Sequence, residues 1–219
     1  MLFLEIKSLM AKEFRLELRQ KYVLNGILLY LISTVFVTYL AFEGVISPEL
    51  WNALFWIILL FVAVNGISKS FVQENSARYL YYYTLVSPQA IVVSKILYNM
   101  LLMLMLSCVS LGLFILFMGY PLVDFPLFLF SLVLGSMGLS SMLTMIAAIA
   151  SRASQNFSLM AILSFPIVLP LLLTLMKVSS AALGNVHSEG ESGLIFILIS
   201  IDMGVIILAY VLFPYLWKD

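Results

Sequence analysis

The sequence predicts an all-α integral membrane protein with six transmembrane helices. The chain of 219 residues is 63% hydrophobic and only 10% charged, whereas soluble domains are about 45–50% apolar and about 25% charged. Six stretches are apolar over about 20 residues, the length that a helix needs to cross the hydrocarbon core of a bilayer. Lipid offers no hydrogen-bond partners to an open backbone, so segments of this length cross it as helices.

The apolar stretches define the boundaries of the spans. The first span follows five cations, as a signal peptide does, but its apolar run exceeds the usual 7–15 residues and no A-x-A-like cleavage site follows. We therefore predict an uncleaved first span and a single transmembrane domain over residues 1–219. The predicted spans are residues 22–42, 50–67, 96–118, 125–150, 157–176 and 194–217.

The distribution of cations predicts the orientation. With six spans, both termini lie on one side of the membrane, and that side holds every Lys and Arg except Lys177. Because loops rich in Lys and Arg stay in the cytoplasm, we expect cytoplasmic N- and C-termini.

Residues 1–21 favour an interfacial helix before the first span. Its polar and apolar residues separate at helical spacing, which is typical of a basic amphipathic helix on a membrane surface. The alternative is a charged anchor that only sets the topology. The polar stripe contains Ser8, Lys12, Arg15 and Arg19, and the apolar stripe contains Leu2, Ile6, Leu9 and Met10.

The stretch "RYLYYYTLVSP" at residues 78–88 predicts a short helix between the second and third spans. Its apolar and aromatic residues recur at helical spacing, and Glu74 and Arg78 form a favourable i,i+4 pair. Pro88 disfavours helical geometry at Ser87, so this helix should end there. Ser87 and Pro88 also suit the cap and first turn of the next span.

We interpret residues 74–86 as a cytoplasmic docking helix, because Tyr and Arg are residue types that anchor protein interfaces. The alternative is an interfacial aromatic belt, in which tyrosines sit at headgroup level without a protein partner. The candidate docking residues are Glu74, Arg78, Tyr81, Tyr82 and Leu85.

Small residues recur every four positions in the fourth span, at Ser136, Ser140, Thr144 and Ala148. Such a stripe lets helices approach closely in lipid. We predict that it packs against another helix, either within the subunit or across a dimer.

Two further features mark the fifth and sixth spans. Pro166 and Pro170 each remove a backbone donor and should kink or break the fifth span. Asp202 is an acid well inside the sixth span, where a charge costs about 2.5–3.5 kcal/mol on insertion scales. We expect it to face the protein interior, with either a functional role or a structural hydrogen bond to another span.

Several chemistries are disfavoured. The sole histidine, His187, lies in an outer loop and the sole cysteine, Cys108, lies in an apolar run, so no catalytic, zinc or haem-ligating cluster is expected. No phosphate-binding glycine loop occurs, and a net charge of zero argues against nucleic acid as a partner. We expect a non-catalytic chain that binds no cofactor directly.

Four stretches together resemble a known family. "FRLELR" spans Phe14 to Arg19, and the stretch after the second span fits an F-x-x-E…P…K pattern at Phe71, Glu74, Pro88 and Lys95. "GLSSMLTMIAAIASRA" and "FPIVLPLLL" follow in the fourth and fifth spans. In order and spacing, over nearly the whole chain, they are similar to the haem exporter protein B family, CcmB.

The resemblance implies an ABC-2-like permease architecture and a membrane subunit of an ABC transporter in c-type cytochrome biogenesis. Such a subunit works in the bacterial inner membrane with a separate CcmA-like ATPase, two copies of each, beside CcmC-, CcmD- and CcmE-like proteins. ATP would be bound by the ATPase, and haem would be present in the complex. Residues 74–86 would then be a coupling helix seated in a groove of the ATPase, whose hydrolysis drives release of the haem-loaded chaperone.

Two alternatives remain at this point. One is an ABC-2-type permease that exports another substrate, and the other is a non-transport scaffold that anchors membrane partners. An ATPase that co-purifies with the chain would distinguish a transporter from a scaffold.

Overall fold

The computed structural model describes residues 2–19, 21–44, 46–72, 86–153, 157–184 and 191–218. These residues form seven α-helices and no strand. Six of the described helices are long and apolar enough to cross a membrane, which confirms the predicted all-α membrane fold. The helices are α1 (Leu2–Arg19), α2 (Lys21–Phe42), α3 (Pro48–Val72), α4 (Pro88–Met118), α5 (Phe125–Ala153), α6 (Phe157–Ala181) and α7 (Glu191–Lys218).

The helices extend beyond most of the predicted spans. The largest difference is at α4, which begins at Pro88 instead of residue 96. Its first two turns contain Ser94 and Lys95, which interrupt the apolar run, but both side chains are buried. The other differences are smaller: α3 begins at Pro48 and continues to Val72, α6 continues to Ala181, and α7 covers Glu191–Lys218.

The predicted coupling helix lies almost entirely outside the described residues. Its candidate docking residues, Glu74, Arg78, Tyr81, Tyr82 and Leu85, all fall in the gap between residues 72 and 86. Its last predicted residue, Val86, is described and forms a bend. The predicted C-terminal boundary at residue 86 is therefore at least one residue too late. Ser87 has an extended backbone because it precedes Pro88, and the chain already bends at Val86.

Helix α5 is the central element of the bundle. It packs against α3, α4, α6 and α7, and 72% of its apolar span is buried, compared with 17% for α2 and for α7. Small residues allow this close packing: a Cβ atom at Gly135 would lie 2.5 Å from the ring of Trp56 in α3. The centre of the fold is therefore formed by helix contacts at small residues.

Helices α1 and α2 both run along α4 in the same direction as α4. In α1, Glu5 contacts Ser87 and Glu13 contacts Lys95, an offset of 82 residues in both cases. Further along, the ring of Tyr39 in α2 lies 5.5 Å from that of Phe117 in α4. Helix α1 is therefore docked on the first turns of α4, which its prediction as an interfacial helix did not include.

Aromatic and polar contacts hold the other end of the bundle. The rings of Trp51, Phe55, Phe114 and Phe128 form a cluster with centroid distances of 5.3–5.6 Å. One turn further along α3, Trp56 Nε1 donates a 2.8 Å hydrogen bond to Ser179 Oγ in α6. The Ser179 hydroxyl in turn donates to Asn52 Oδ1 at 2.7 Å. These contacts fix α3 and α6 around α5.

Candidate functional site

The contact between α1 and α4 begins with a carboxylate at the start of α4. Glu5 Oε2 accepts hydrogen bonds from the backbone N–H of Ser87 at 3.2 Å and from its hydroxyl at 2.8 Å. Ser87 occupies the predicted cap position, but its side chain makes no capping bond within α4. Glu5 takes that place, since a carboxylate satisfies a free backbone donor there and interacts favourably with the helix dipole.

Two turns further along, Glu13 and Lys95 form a buried ion pair. Lys95 Nζ lies 3.5 Å from Glu13 Oε1, and only 2% of the Lys95 side chain is exposed. Lys12 Nζ lies 3.1 Å from the same oxygen. A buried charge requires such partners, because burial removes the hydration of both ions.

An aromatic contact continues the interface. The ring of Phe14 meets that of Tyr98 edge-on at 5.5 Å, and Glu13 and Glu17 both lie near Tyr98. All three acids of α1, Glu5 included, therefore face α4. This contact begins at Ser87, the residue that directly follows the predicted coupling helix. Helix α1 therefore holds the chain at the point where that helix would join α4.

Asp202 is placed at the junction of α5, α6 and α7. The residue is 1% exposed, and neither carboxyl oxygen has a hydrogen-bond partner among the described residues. One oxygen lies against Gly138 of α5, next to the side chain of Leu171 in α6. Asp202 thus faces the protein interior, as expected. The expected hydrogen bond to another span is not found among the described residues, because Gly138 and Leu171 present no polar side chain to the carboxyl group.

The small-residue stripe of α5 lies along α4. Ser136, Ser140, Thr144 and Ala148 are all buried. The hydroxyls of Ser107 and Ser136 are 2.9 Å apart, and Asn99 Nδ2 donates a 2.8 Å bond to Thr144 Oγ1. Ala148 lines a narrow gap with residues of α4 and α7. Short side chains at this face allow α4 and α5 to exchange hydrogen bonds within the bundle.

Pro166 and Pro170 do not break their helix. Helix α6 is continuous over Phe157–Ala181 with both prolines inside it, so the expected break is wrong, whereas the expected kink stays a prediction. Both prolines are exposed, and a helix in lipid tolerates proline where local adjustments satisfy the freed backbone groups. The hydroxyl of Thr174 donates a 2.8 Å bond to the Pro170 carbonyl within the same helix.

The sequence contained a signal for the α1–α4 contact that its interpretation missed. Glu13 and Glu17 border the apolar stripe of the amphipathic helix, where they do not fit a contact with lipid. Together with Glu5 they fall on one side of α1, and a cation at Lys95 follows at the matching position of α4. Acids grouped on one side of a helix indicate a polar partner for that side.

These elements define a multi-pass α-helical membrane protein with buried polar contacts between its helices. The family model described as CcmB protein matches residues 4–215. The chain therefore belongs to the CcmB family, as its four motif stretches indicated. Membership implies the membrane subunit of a haem-exporting ABC transporter in cytochrome c maturation. The comparison with curated proteins gave no match, and neither did the comparison with solved structures.

Proposed function

We propose that the chain couples ATP hydrolysis by a separate ATPase subunit to haem delivery, or to release of the haem-loaded chaperone, in c-type cytochrome biogenesis. The family match over residues 4–215 carries this proposal, because it includes all six spans and the segment between α3 and α4. The chain contributes the membrane path of the complex, and ATP binds to the partner subunit.

The proposed assembly lies in the bacterial inner membrane with both termini in the cytoplasm. Its partners are a CcmA-like ATPase and CcmC-, CcmD- and CcmE-like proteins, with two copies of this chain and of the ATPase. The concentration of Lys and Arg on one side of the spans supports this orientation. It puts residues 74–86 on the same side as the ATPase.

The α1–α4 contact supports a route for the coupling. Force applied to residues 74–86 reaches α4 at Ser87, where Glu5 holds the first turn. The Glu13–Lys95 pair links the two helices again two turns later. Because a buried ion pair resists separation, α1 and the start of α4 move as one unit, and α1 leads directly into α2.

Deletion of the gene tests the pathway. Staining for covalent haem should show that the deletion strain loses its c-type cytochromes and that a plasmid-borne copy restores them. Normal c-type cytochromes in the deletion strain would contradict the proposal and favour export of another substrate.

Pull-down of the ATPase from detergent-solubilised membranes tests the coupling segment. Truncating a central aromatic residue of an interface costs about 2 kcal/mol or more, so Tyr81→Ala should recover roughly thirtyfold less ATPase at equal expression. Tyr83→Ala is the matched control, because its side chain would leave the predicted helix in another direction. Tyr82→Ala removes a candidate docking residue at a different position on that helix, so its recovery should differ from both. Equal recovery from all three variants would favour the aromatic belt, and no ATPase even with the unaltered chain would favour a scaffold.

Accessibility labelling tests the orientation. A cysteine at Ser188 should react with an impermeant reagent added to intact cells, whereas a cysteine at Ser154 should react only after lysis. The unaltered Cys108, which lies inside α4, needs replacement in both variants. The reverse pattern would put residues 74–86 on the wrong side for an ATPase.

A further inference from the structure

Helix α1 separates its charges onto two sides. Its acids face α4, as the contacts of Glu5, Glu13 and Glu17 show. The cations Arg15 and Arg19 are exposed on another side. The helix therefore has an acidic side occupied by α4 and a basic side that this contact leaves open.

The basic side forms a groove with a volume of about 360 Å³. Lys12 stands at its edge, where its ammonium contacts Glu13. Arg15 and Arg19 have no ion pair within the described part of the chain. Two guanidinium groups one turn apart are thus available to one anion. The groove is lined by Ser8, Ala11, Lys12, Arg15, Leu16 and Arg19.

The groove lies close to the start of a membrane span. The apolar span of α2 begins at Leu24. Arg19 ends α1 two residues before α2 begins at Lys21, so the Cα atoms of Arg19 and Leu24 are at most about 12 Å apart. The headgroup layer on each side of the hydrocarbon core is about 5–8 Å thick. Arg19 is therefore close enough to the headgroup layer for its long side chain to reach lipid phosphates, and Arg15 follows one turn away on the same helix.

We propose that this basic groove binds the phosphate of an anionic phospholipid in the adjacent leaflet. Guanidinium groups match phosphate oxygens in geometry and charge. The lipid would hold the outer side of α1 while the ion pair with Lys95 holds its inner side.

Lipid titration of the purified chain, followed by native mass spectrometry, tests this proposal. Phosphatidylglycerol and phosphatidylcholine with identical acyl chains are compared at low salt. The unaltered chain should bind phosphatidylglycerol more tightly than phosphatidylcholine. Since each Lys or Arg near a membrane surface is worth about 1 kcal/mol, the double variant Arg15→Gln/Arg19→Gln should lose roughly thirtyfold in affinity for phosphatidylglycerol.

Two further variants make the result specific. Lys7→Gln removes one exposed cation of α1 that does not line the groove, and it should leave the affinity unchanged. Arg15→Lys/Arg19→Lys keeps both charges but loses the guanidinium geometry, so its affinity should lie between those of the unaltered chain and the glutamine variant. Glutamine has nearly the helix propensity of arginine, so the thermal unfolding midpoint without added lipid should match that of the unaltered chain.

Three outcomes would overturn the proposal. They are no preference of the unaltered chain for phosphatidylglycerol, an equal loss in the Lys7 variant, and unchanged lipid binding in the Arg15→Gln/Arg19→Gln variant. If that variant kept its lipid but recovered less ATPase in a pull-down, the groove would be a protein-docking surface. The titration contains no ATPase, so its result does not depend on the proposed function.

Discussion

Two buried acids of this protein, Glu13 and Asp202, have opposite surroundings. Glu13 lies between α1 and α4, and its carboxylate contacts the ammonium groups of Lys12 and Lys95. Asp202 lies between α7 and α5, with Gly138 and Leu171 beside it and no hydrogen-bond partner among the described residues. Glu13 is therefore paired with opposite charges, whereas Asp202 fits in its place because Gly138 has no side chain.

This difference indicates which neighbour each acid depends on. The removal of one partner of a buried ion pair leaves the other charge unpaired, which is strongly destabilising. For Asp202 the sensitive neighbour is Gly138, because a methyl group there would overlap the carboxyl oxygen. Glu13 should therefore respond to changes of charge, and Asp202 should respond to changes of volume.

The largest effect is expected for Lys95→Met, which removes the buried partner of Glu13. Breaking a buried pair in this way typically costs about 3–5 kcal/mol, so α1 should separate from α4. Protease cleavage within α1 of the purified protein should become faster, and its thermal unfolding midpoint should fall.

Two control variants distinguish charge pairing from the loss of a lysine. Lys177→Met removes an exposed lysine at the far end of α6 and should change neither measurement. Adding Glu13→Gln to Lys95→Met should restore part of the loss, since the double variant no longer buries a carboxylate whose remaining cation is the partly exposed Lys12. If the double variant is as unstable as Lys95→Met, the pair does not hold α1.

A smaller effect is expected for Gly138→Ala. The added methyl group would overlap an Asp202 oxygen and come within 3.0 Å of both Leu171 methyl carbons. Overpacking of this kind typically costs about 1–3 kcal/mol, measured as a lower unfolding midpoint in detergent.

The matched control is Gly112→Ala in α4, where no atom lies within 4 Å of the added carbon. It should be neutral or slightly stabilising, because alanine favours helix over glycine. Asp202→Ala should relieve part of the Gly138→Ala loss. Equal destabilisation by both glycine variants would mean that the space beside Asp202 does not decide the result.

Much of the membrane fold could be predicted from the sequence, because a span is a local property of about 20 residues. The start of α4 shows the limit of this reasoning. Ser94 and Lys95 interrupt the apolar run, so the span was placed too late, although Ser87 and Pro88 marked the true helix start. What allows a lysine there is Glu13, which lies 82 residues earlier in the chain.

From the sequence, the residues of the candidate site could be predicted only where they share one face of a single helix. The stripe from Ser136 to Ala148 could be identified, but its partner α4 could not, since spacing along one helix does not select a neighbour. The burial of Asp202 could be expected from the cost of a charge in lipid. Its contact with Gly138 depends on how α5 and α7 pack, which no local pattern contains.

A third variant, Thr144→Val, tests a polar contact between α4 and α5. Its expected loss of stability is smaller than that of Gly138→Ala and larger than that of Asp202→Asn. Valine has nearly the same shape but removes the acceptor of the Asn99 amide. Hydrogen bonds between membrane helices are worth about 0.6 kcal/mol on average and about 1.7 at most, so the unfolding midpoint should fall slightly. Thr174→Val is the control, because the Thr174 hydroxyl bonds only within its own helix in the described structure. A larger loss from Thr174→Val would contradict a role for the α4–α5 bond.

The smallest effect is expected for Asp202→Asn. The amide has nearly the shape of the carboxyl group, and the substitution removes no hydrogen bond found among the described residues. An amide also carries no charge into the span, so insertion should not become harder. Protein level and covalent haem in c-type cytochromes should both stay near normal, whereas Glu13→Gln, which removes a paired charge, should lower the unfolding midpoint.

If Asp202→Asn abolished cytochrome assembly at a normal protein level, the acid itself would take part in the transport cycle. Its position beside Gly138 would then serve proton or charge movement instead of packing.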